Sequence, residues 1–263
     1  MYETYQHLKF ERRGRILTVV MNRPEVKNAA NVRMHNELSR VFRDVAADPE
    51  ADVIVLTGAG DAFSSGGDIR AMQEKIADHT LWNDTVDEAR CLFYSILDLD
   101  KPLIARVNGA ATGLGATLAV YADIAIAAES AVIGDPHVKV GLVAGDGGAL
   151  MWPLLIGFQK AKELLLTGDN IDAREAARLG LITHAVPDAE LDERVYALAE
   201  RLLKGAPLAL RGTKKAINHT LRNLGLSTFE FGVSLETQSH LSRDHAEACA
   251  AFIERRKPVF TGR

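Results

Sequence analysis

The chain has 263 residues, 47% of them hydrophobic and 25% charged, with a formal net charge of −4. This is ordinary soluble globular composition, long enough for one large domain with a sizeable core, or for a domain with an appendage. No run of Lys or Arg reads as a nucleic-acid footprint, and the longest uncharged run, residues 107–122, is too short to span a bilayer. Nucleic-acid and membrane partners are therefore not expected.

The opening segment, "MYETYQHLKFERRGR", is polar and charged, unlike a signal peptide. Cys91 and Cys249 lie far apart and match no metal or redox spacing. Free thiols in a reducing compartment, and hence a cytoplasmic protein, are the expectation.

In chain order, "HLKFE" and "ILTVVMNR" read as a hairpin turning at Arg13-Gly14. Asn31 caps a helix over "VRMHNELSRVFRDVAAD", whose apolar residues recur at helical spacing. "DVIVLTG" is a buried strand and "AGDAFSSGGD" a Gly/Ser loop. Helical pattern runs from Asp68, breaks around Asp78 to Thr80, and resumes to about Asp98. A strand, "KPLIARVNG", then leads to a glycine-opened helix, "ATGLGATLAVYA", and two more strands, "DIAIAAE" and "AVIGD". From Asp146 onward helices start near Gly147, Lys160, Ala173, Ala189, Pro207, Thr228 and Asp244, interrupted only by "ITHAV". The order predicts an α/β core over residues 1–205 and a helical region over 206–263. Apolar positions at Leu224, Phe229, Val233, Ala248 and Phe252 suggest that this region packs on a neighbouring subunit as well as on its own core.

Two glycine loops, "SSGGDI" and "NGAATGLGAT", each follow a strand pattern and open a helix. Neither has P-loop or dinucleotide-binding spacing. Glycine permits tight turns, but it also lets a ligand approach the backbone at a helix N-terminus, where N–H groups are free. Two such donors aimed at one point would form an oxyanion hole. Ser64 and Ser65 are not in a nucleophile elbow, and His219, His240 and His245 show no metal-ligand spacing. No metal is expected.

"MNRPEVKNAA", "AFSSGGDI", "VNGAATGLGATLAVYADIAIA", "AARLGLITHAV" and "AFIERRKPVF" occur in the order and approximate spacing of the crotonase, or enoyl-CoA hydratase/isomerase, superfamily. The resemblance runs from about Tyr5 to Arg263, and the motifs are specific as a set. It implies an α/β spiral of ββα units, a helical C-terminal region forming homotrimers or homohexamers, and acyl-CoA substrates, with coenzyme A part of the substrate and no separate cofactor. It also implies that the backbone N–H groups of Gly67 and Leu114 bind the thioester carbonyl. By the same matching, the adenine end of CoA lies along Gly66, Gly67, Asp68 and Ile69, and Arg70 stands where the family often has a phosphate-binding lysine. Phe252 and Arg255 resemble residues that reach a neighbouring subunit's CoA, although Arg255-Arg256-Lys257 reads equally as a solvated helix end.

Hydratases of that superfamily use two glutamates; the matching positions here are Thr117 and His137. The ionisable groups left nearby are His137 and Asp146. His137 has the intrinsic pKa of a base at neutral pH, and a carboxylate on its second nitrogen would orient it. Asp146 reads either as that carboxylate or as the N-cap of the helix that follows. A β-diketone hydrolase branch of the superfamily is similar in this segment, with a Pro-His, a later G-D-G and a Trp-Pro like Trp152-Pro153, and Glu236 matches a carboxylate there. Three readings stay open: a CoA-thioester hydratase or isomerase using His137, a C–C bond hydrolase using the same dyad, and a non-catalytic binding protein.

Overall fold

The computed structural model describes residues 1–263. Strands β1 (Leu8–Arg13) and β2 (Ile16–Met21) form the antiparallel hairpin. Next comes α1 (Val32–Ala47), where the Asn31 side chain accepts from Met34 N at 2.9 Å, satisfying one of the free donors at the helix start. The chain continues through β3 (Val53–Gly58), β4 (Ala62–Ser64), α2 (Ile69–Ala77), α3 (His79–Asp98), β5 (Leu103–Val107), β6 (Ala110–Thr112) and α4 (Leu114–Tyr121). Then follow β7 (Ile124–Ala128), β8 (Val132–Gly134), a 3-10 turn (His137–Val140), α5 (Gly148–Ile156), α6 (Phe158–Thr167), β9 (Ile171–Asp172), α7 (Ala173–Leu179) and β10 (His184–Val186). Four helices close the chain: α8 (Leu191–Leu203), α9 (Pro207–Leu224), α10 (Glu230–His240) and α11 (Arg243–Ile253).

The strands sort into a six-stranded sheet, β1-β2-β3-β5-β7-β10, and a four-stranded sheet, β4-β6-β8-β9. Each of β3, β5 and β7 belongs to the large sheet and is followed at once by a strand of the small one, and then by a turn or helix. This is a spiral of ββα units. Strands β2 and β3 are buried along their whole length, as their largely apolar sequences require of strands covered on both faces.

Three strands of the small sheet were not legible. β4 and β6 lie inside segments that read as glycine loops, and β9 has two residues. Elements this short cannot display the period-two alternation that reveals a strand. The helix expected to begin at Thr228 is instead continuous with α9 through a π-helical segment, Gly225–Phe229.

The C-terminal helices share the main core. Phe229, Val233 and Ala248 are buried within this chain, so these three do not form an unpartnered face. Leu224 and Phe252 are exposed as expected, together with Leu208, Leu226, Phe231 and Leu241. α9 is tied to the α/β core by Lys214, whose Nζ lies 2.7 Å from Asp123 Oδ2.

Gly115, in the first turn of α4, packs so closely on β4 that a Cβ would overlap Ser64 O. Gly115→Ala should therefore destabilise the protein by about 1–3 kcal/mol. Gly212, inside α9, faces open space. Gly212→Ala should add roughly 0.5–1 kcal/mol by restricting the unfolded chain. Urea unfolding of both variants tests the contrast, and equal effects would contradict it.

Candidate active site

Strands β4, β6 and β8 are parallel and adjacent, so all three leave the small sheet at the same edge. The segments that follow are Ser65-Gly66-Gly67, Gly113-Leu114 and Asp135-Pro136-His137. Residues far apart in sequence thus converge where strand C-termini meet helix N-termini, the edge at which parallel α/β sheets bind ligands.

The two glycine loops touch. Gly66 has φ 89°, and a Cβ on it would come within 2.7 Å of Thr112 O. Both conditions favour glycine. Neither Gly67 nor Leu114 gives its N–H to a turn or loop carbonyl. Leu114 is the first residue of α4, where an N–H has no partner inside the helix.

His137 stands against the second loop, its Cε1 3.8 Å from the place a Cβ on Gly113 would take. Its Nδ1 is hydrogen-bonded to Asp135 Oδ1. Its Nε2 faces Asp146 Oδ2 at 3.7 Å. The carboxylate within hydrogen-bond distance of the imidazole is Asp135, which the sequence did not single out; the signal was its place two residues before His137. Asp146 does not cap α5 either, because the N-cap is Gly147 and no side chain bonds there. Its Oδ1 instead lies 3.5 Å from Thr117 Oγ1.

These residues open on one cavity of about 890 Å³. Gly66, Gly67, Asp68, Ile69, Arg70, Leu114, His137, Asp146, Phe252 and Arg255 all line it. The Asp68 carboxylate is occupied by capping Arg70 N and pairing with Arg23, each at 3.0 Å. Phe252 and Arg255 border this chain's own cavity because α11 folds back over it, with His245 Nδ1 2.7 Å from Val140 O. Glu236, from α10, also faces the cavity, as do His35 and Lys75.

The electrostatics set His137 apart. Burial holds His35, His240 and His245 below the usual imidazole pKa of 6.5, with His240 down at about 4. Burial pushes His137 the same way, but the adjacent Asp135 and Asp146 carboxylates outweigh it and hold its pKa well above 6.5. Burial raises the Asp146 carboxyl above the usual aspartate range, opposed by His137 and reinforced by Asp135. Burial and the charge of Asp146 push Glu236 up to about 8. At neutral pH the wall thus holds an imidazolium between two aspartates and a protonated glutamate. Ligand atoms of Asp135, His137 and Asp146 lie within 4.8 Å of one another, a spacing that could hold a cation. The Asp135–His137 hydrogen bond already occupies two of those donors.

The ββα spiral and its paired helix starts define a crotonase-type scaffold. Residues 11–263 match the family model described as "Enoyl-CoA hydratase/isomerase". The chain is 36% identical over 261 residues to a probable enoyl-CoA hydratase of Rhodobacter capsulatus, covering 99% of this chain and 100% of that one. Its fold is similar to the crystal structure of an enoyl-CoA hydratase/isomerase from Mycobacterium paratuberculosis, with TM-score 0.91, 36% identity, and 95% and 99% of the two chains covered. It is also similar to a β-diketone hydrolase from the cyanobacterium Anabaena, with TM-score 0.85, 30% identity, and 91% and 96% covered. The chain belongs to the enoyl-CoA hydratase/isomerase family.

A protonated His137 has a measurable consequence. Its imidazole should titrate well above 6.5 by NMR, with the signal assigned by loss in His137→Gln, and Asp135→Asn should lower that pKa by removing a negative neighbour. Because the folded pKa is raised, this protonation stabilises the fold fully below about 6.5 and ceases to do so as pH rises through the folded value. A wild-type titration near 6.5 would contradict the assignment.

Proposed function

We propose that the protein is an enoyl-CoA hydratase acting on an acyl-CoA thioester. The observation that carries this reading is the position of His137, beside Gly113-Leu114 and 3.7 Å from Asp146, on the wall of the cavity reached by Gly67. The thioester carbonyl accepts from the N–H groups of Gly67 and Leu114, which stabilise the enolate as charge develops. The Asp146 carboxylate takes a proton from water while that water's oxygen bonds to the β-carbon. The Nε2 proton of His137 passes to the α-carbon. Asp146 then returns its proton to His137, and the net change is H and OH added across the double bond. His137 is the acid in this scheme and Asp146 the base, with Asp135 holding the ring. Arg70 and Arg255, at the cavity wall, are suited to the phosphates of CoA.

The β-diketone hydrolase reading is favoured by one observation: neither Thr117 nor His137 is the glutamate of the two-carboxylate hydratases. It would use the same pair to direct water onto a carbonyl carbon.

Leu114→Pro removes one N–H from the first helical position, where proline is tolerated. It should lower kcat by about 10²–10³. Asp146→Asn should lower kcat by about 10²–10⁴ with little change in thioester affinity. Both are measured by hydration of a short trans-2-enoyl-CoA. Turnover of a cyclic 1,3-diketone with none of the thioester would favour the hydrolase instead.

The exposed Leu224, Phe231, Leu241 and Phe252 support assembly as a trimer or a pair of trimers. Light scattering should give three or six chain masses; a monomer at micromolar concentration would contradict this.

A further inference from the structure

Three lysines are buried, and two of them are satisfied. Lys101 Nζ donates to Val45 O at 2.7 Å and Asp48 O at 2.5 Å. Lys214 Nζ donates to Lys101 O at 2.8 Å and pairs with Asp123. Lys75 is only 7% exposed, yet it makes no ion pair and no side-chain hydrogen bond, and it alone of the three lines the cavity.

Carboxylates stand near it, Glu88 acting on it most strongly, but none forms an ion pair with it. Glu74 lies on its own helix. Glu88, from α3, is engaged by His35 at 2.6 Å and Asn36 at 2.7 Å. Glu236, from α10, is protonated at neutral pH, and burial keeps His35, His240 and His245 neutral. Burial lowers the Lys75 pKa against the pull of these carboxylates, and an anion brought to its nitrogen would offset the cost of burying the charge.

The position of Lys75 says where that partner would stand. It lies six residues after Ile69, about 9 Å along α2 from that first helical residue. Helical side chains lean toward the N-terminus, so Lys75 lines the cavity about a turn or more beyond the carbonyl site. Ile69, Met72, Trp82 and Val86 line the same cavity with apolar surface.

We propose that Lys75 determines acyl specificity by receiving a carboxylate at the far end of the acyl chain, so that the site takes CoA mono-thioesters of dicarboxylic acids. This rests on the thioester reading above. The test is calorimetric binding of two saturated six-carbon CoA thioesters, one ending in methyl and one in carboxylate, so that no turnover intrudes. Wild type should favour the carboxylate by about 10–100-fold, the effect of a charge-assisted hydrogen bond. Lys75→Met should abolish that preference and leave the methyl-terminated affinity nearly unchanged. Equal affinities in wild type, or a preference that survives Lys75→Met, overturn the proposal while the thioester reading stands. Binding of neither thioester overturns that reading and this one with it. Lys75→Gln is read in the same way, and if neither variant folds, the wild-type ratio decides.

Discussion

Parallel pairing of β4, β6 and β8 sends three chain segments out of the small sheet at one edge, and the site is assembled by that geometry. In a parallel ladder, neighbouring strands end together, so whatever follows each strand is brought to the same place. Here those followers are a glycine loop opening α2, a glycine loop opening α4, and the Asp135-Pro136-His137 turn. The hydrogen bond from Gly113 N to Gly134 O, 3.0 Å, locks the second and third together. Two helix starts then meet with the N–H groups of Gly67 and Leu114 left without a turn or loop carbonyl, and neither depends on its side chain for that. That is why leucine can stand at position 114: the chemistry offered there belongs to the backbone.

The same edge governs the protons. His35, His240, His245 and His137 are all withdrawn from water, and burial alone would leave all four neutral. Only His137 is flanked on both ring nitrogens by carboxylates, so only it carries charge near pH 7. The charge on Asp146 in turn helps keep Glu236 protonated. Such groups titrate as a set rather than singly. A lone buried histidine would have lost its proton to desolvation, as His240 does.

How much of this was legible in the sequence depended on length and on locality. Long elements announced themselves: the α1 stripe with its Asn31 cap, the apolar runs of β2 and β3, and the helical C-terminal third. The two glycine loops, and His137 with Asp146, were also readable as candidates. The short strands were not, since β4, β6 and β9 have two or three residues each and no pattern to show. Glu37 could not be assigned a partner either, although it accepts from the backbone of Gln6 and His7, 31 and 30 positions away. The role of Asp135 stayed hidden because a carboxylate two residues before a histidine meets it only when the backbone turns tightly, as this 3-10 segment does. Lys75 was invisible for a different reason. An amphipathic helix with one lysine on its apolar side reads as ordinary noise until the cavity behind it is seen.

Asp146 shows why glycine-rich sequence around a polar residue deserves two interpretations. The run Gly145-Asp146-Gly147-Gly148 looks like a helix beginning, and a helix does begin there. Yet its aspartate caps nothing. A Cβ at position 145 would overlap Gly232 O, and one at position 148 would overlap Asp135 Oδ2. Gly147 adds a φ of 131° that side chains rarely adopt. The glycines therefore serve close approach: they let the loop press between α10 and the Asp135 turn, which drives the Asp146 carboxylate inward until it meets Thr117 and faces His137. Threonine at 117 is short enough to leave that space open. A glutamate rooted at the same helical position would need the volume that Asp146 now fills, so the carboxylate and the small residue form one solution, with a charge from a neighbouring loop standing over the first turns of α4.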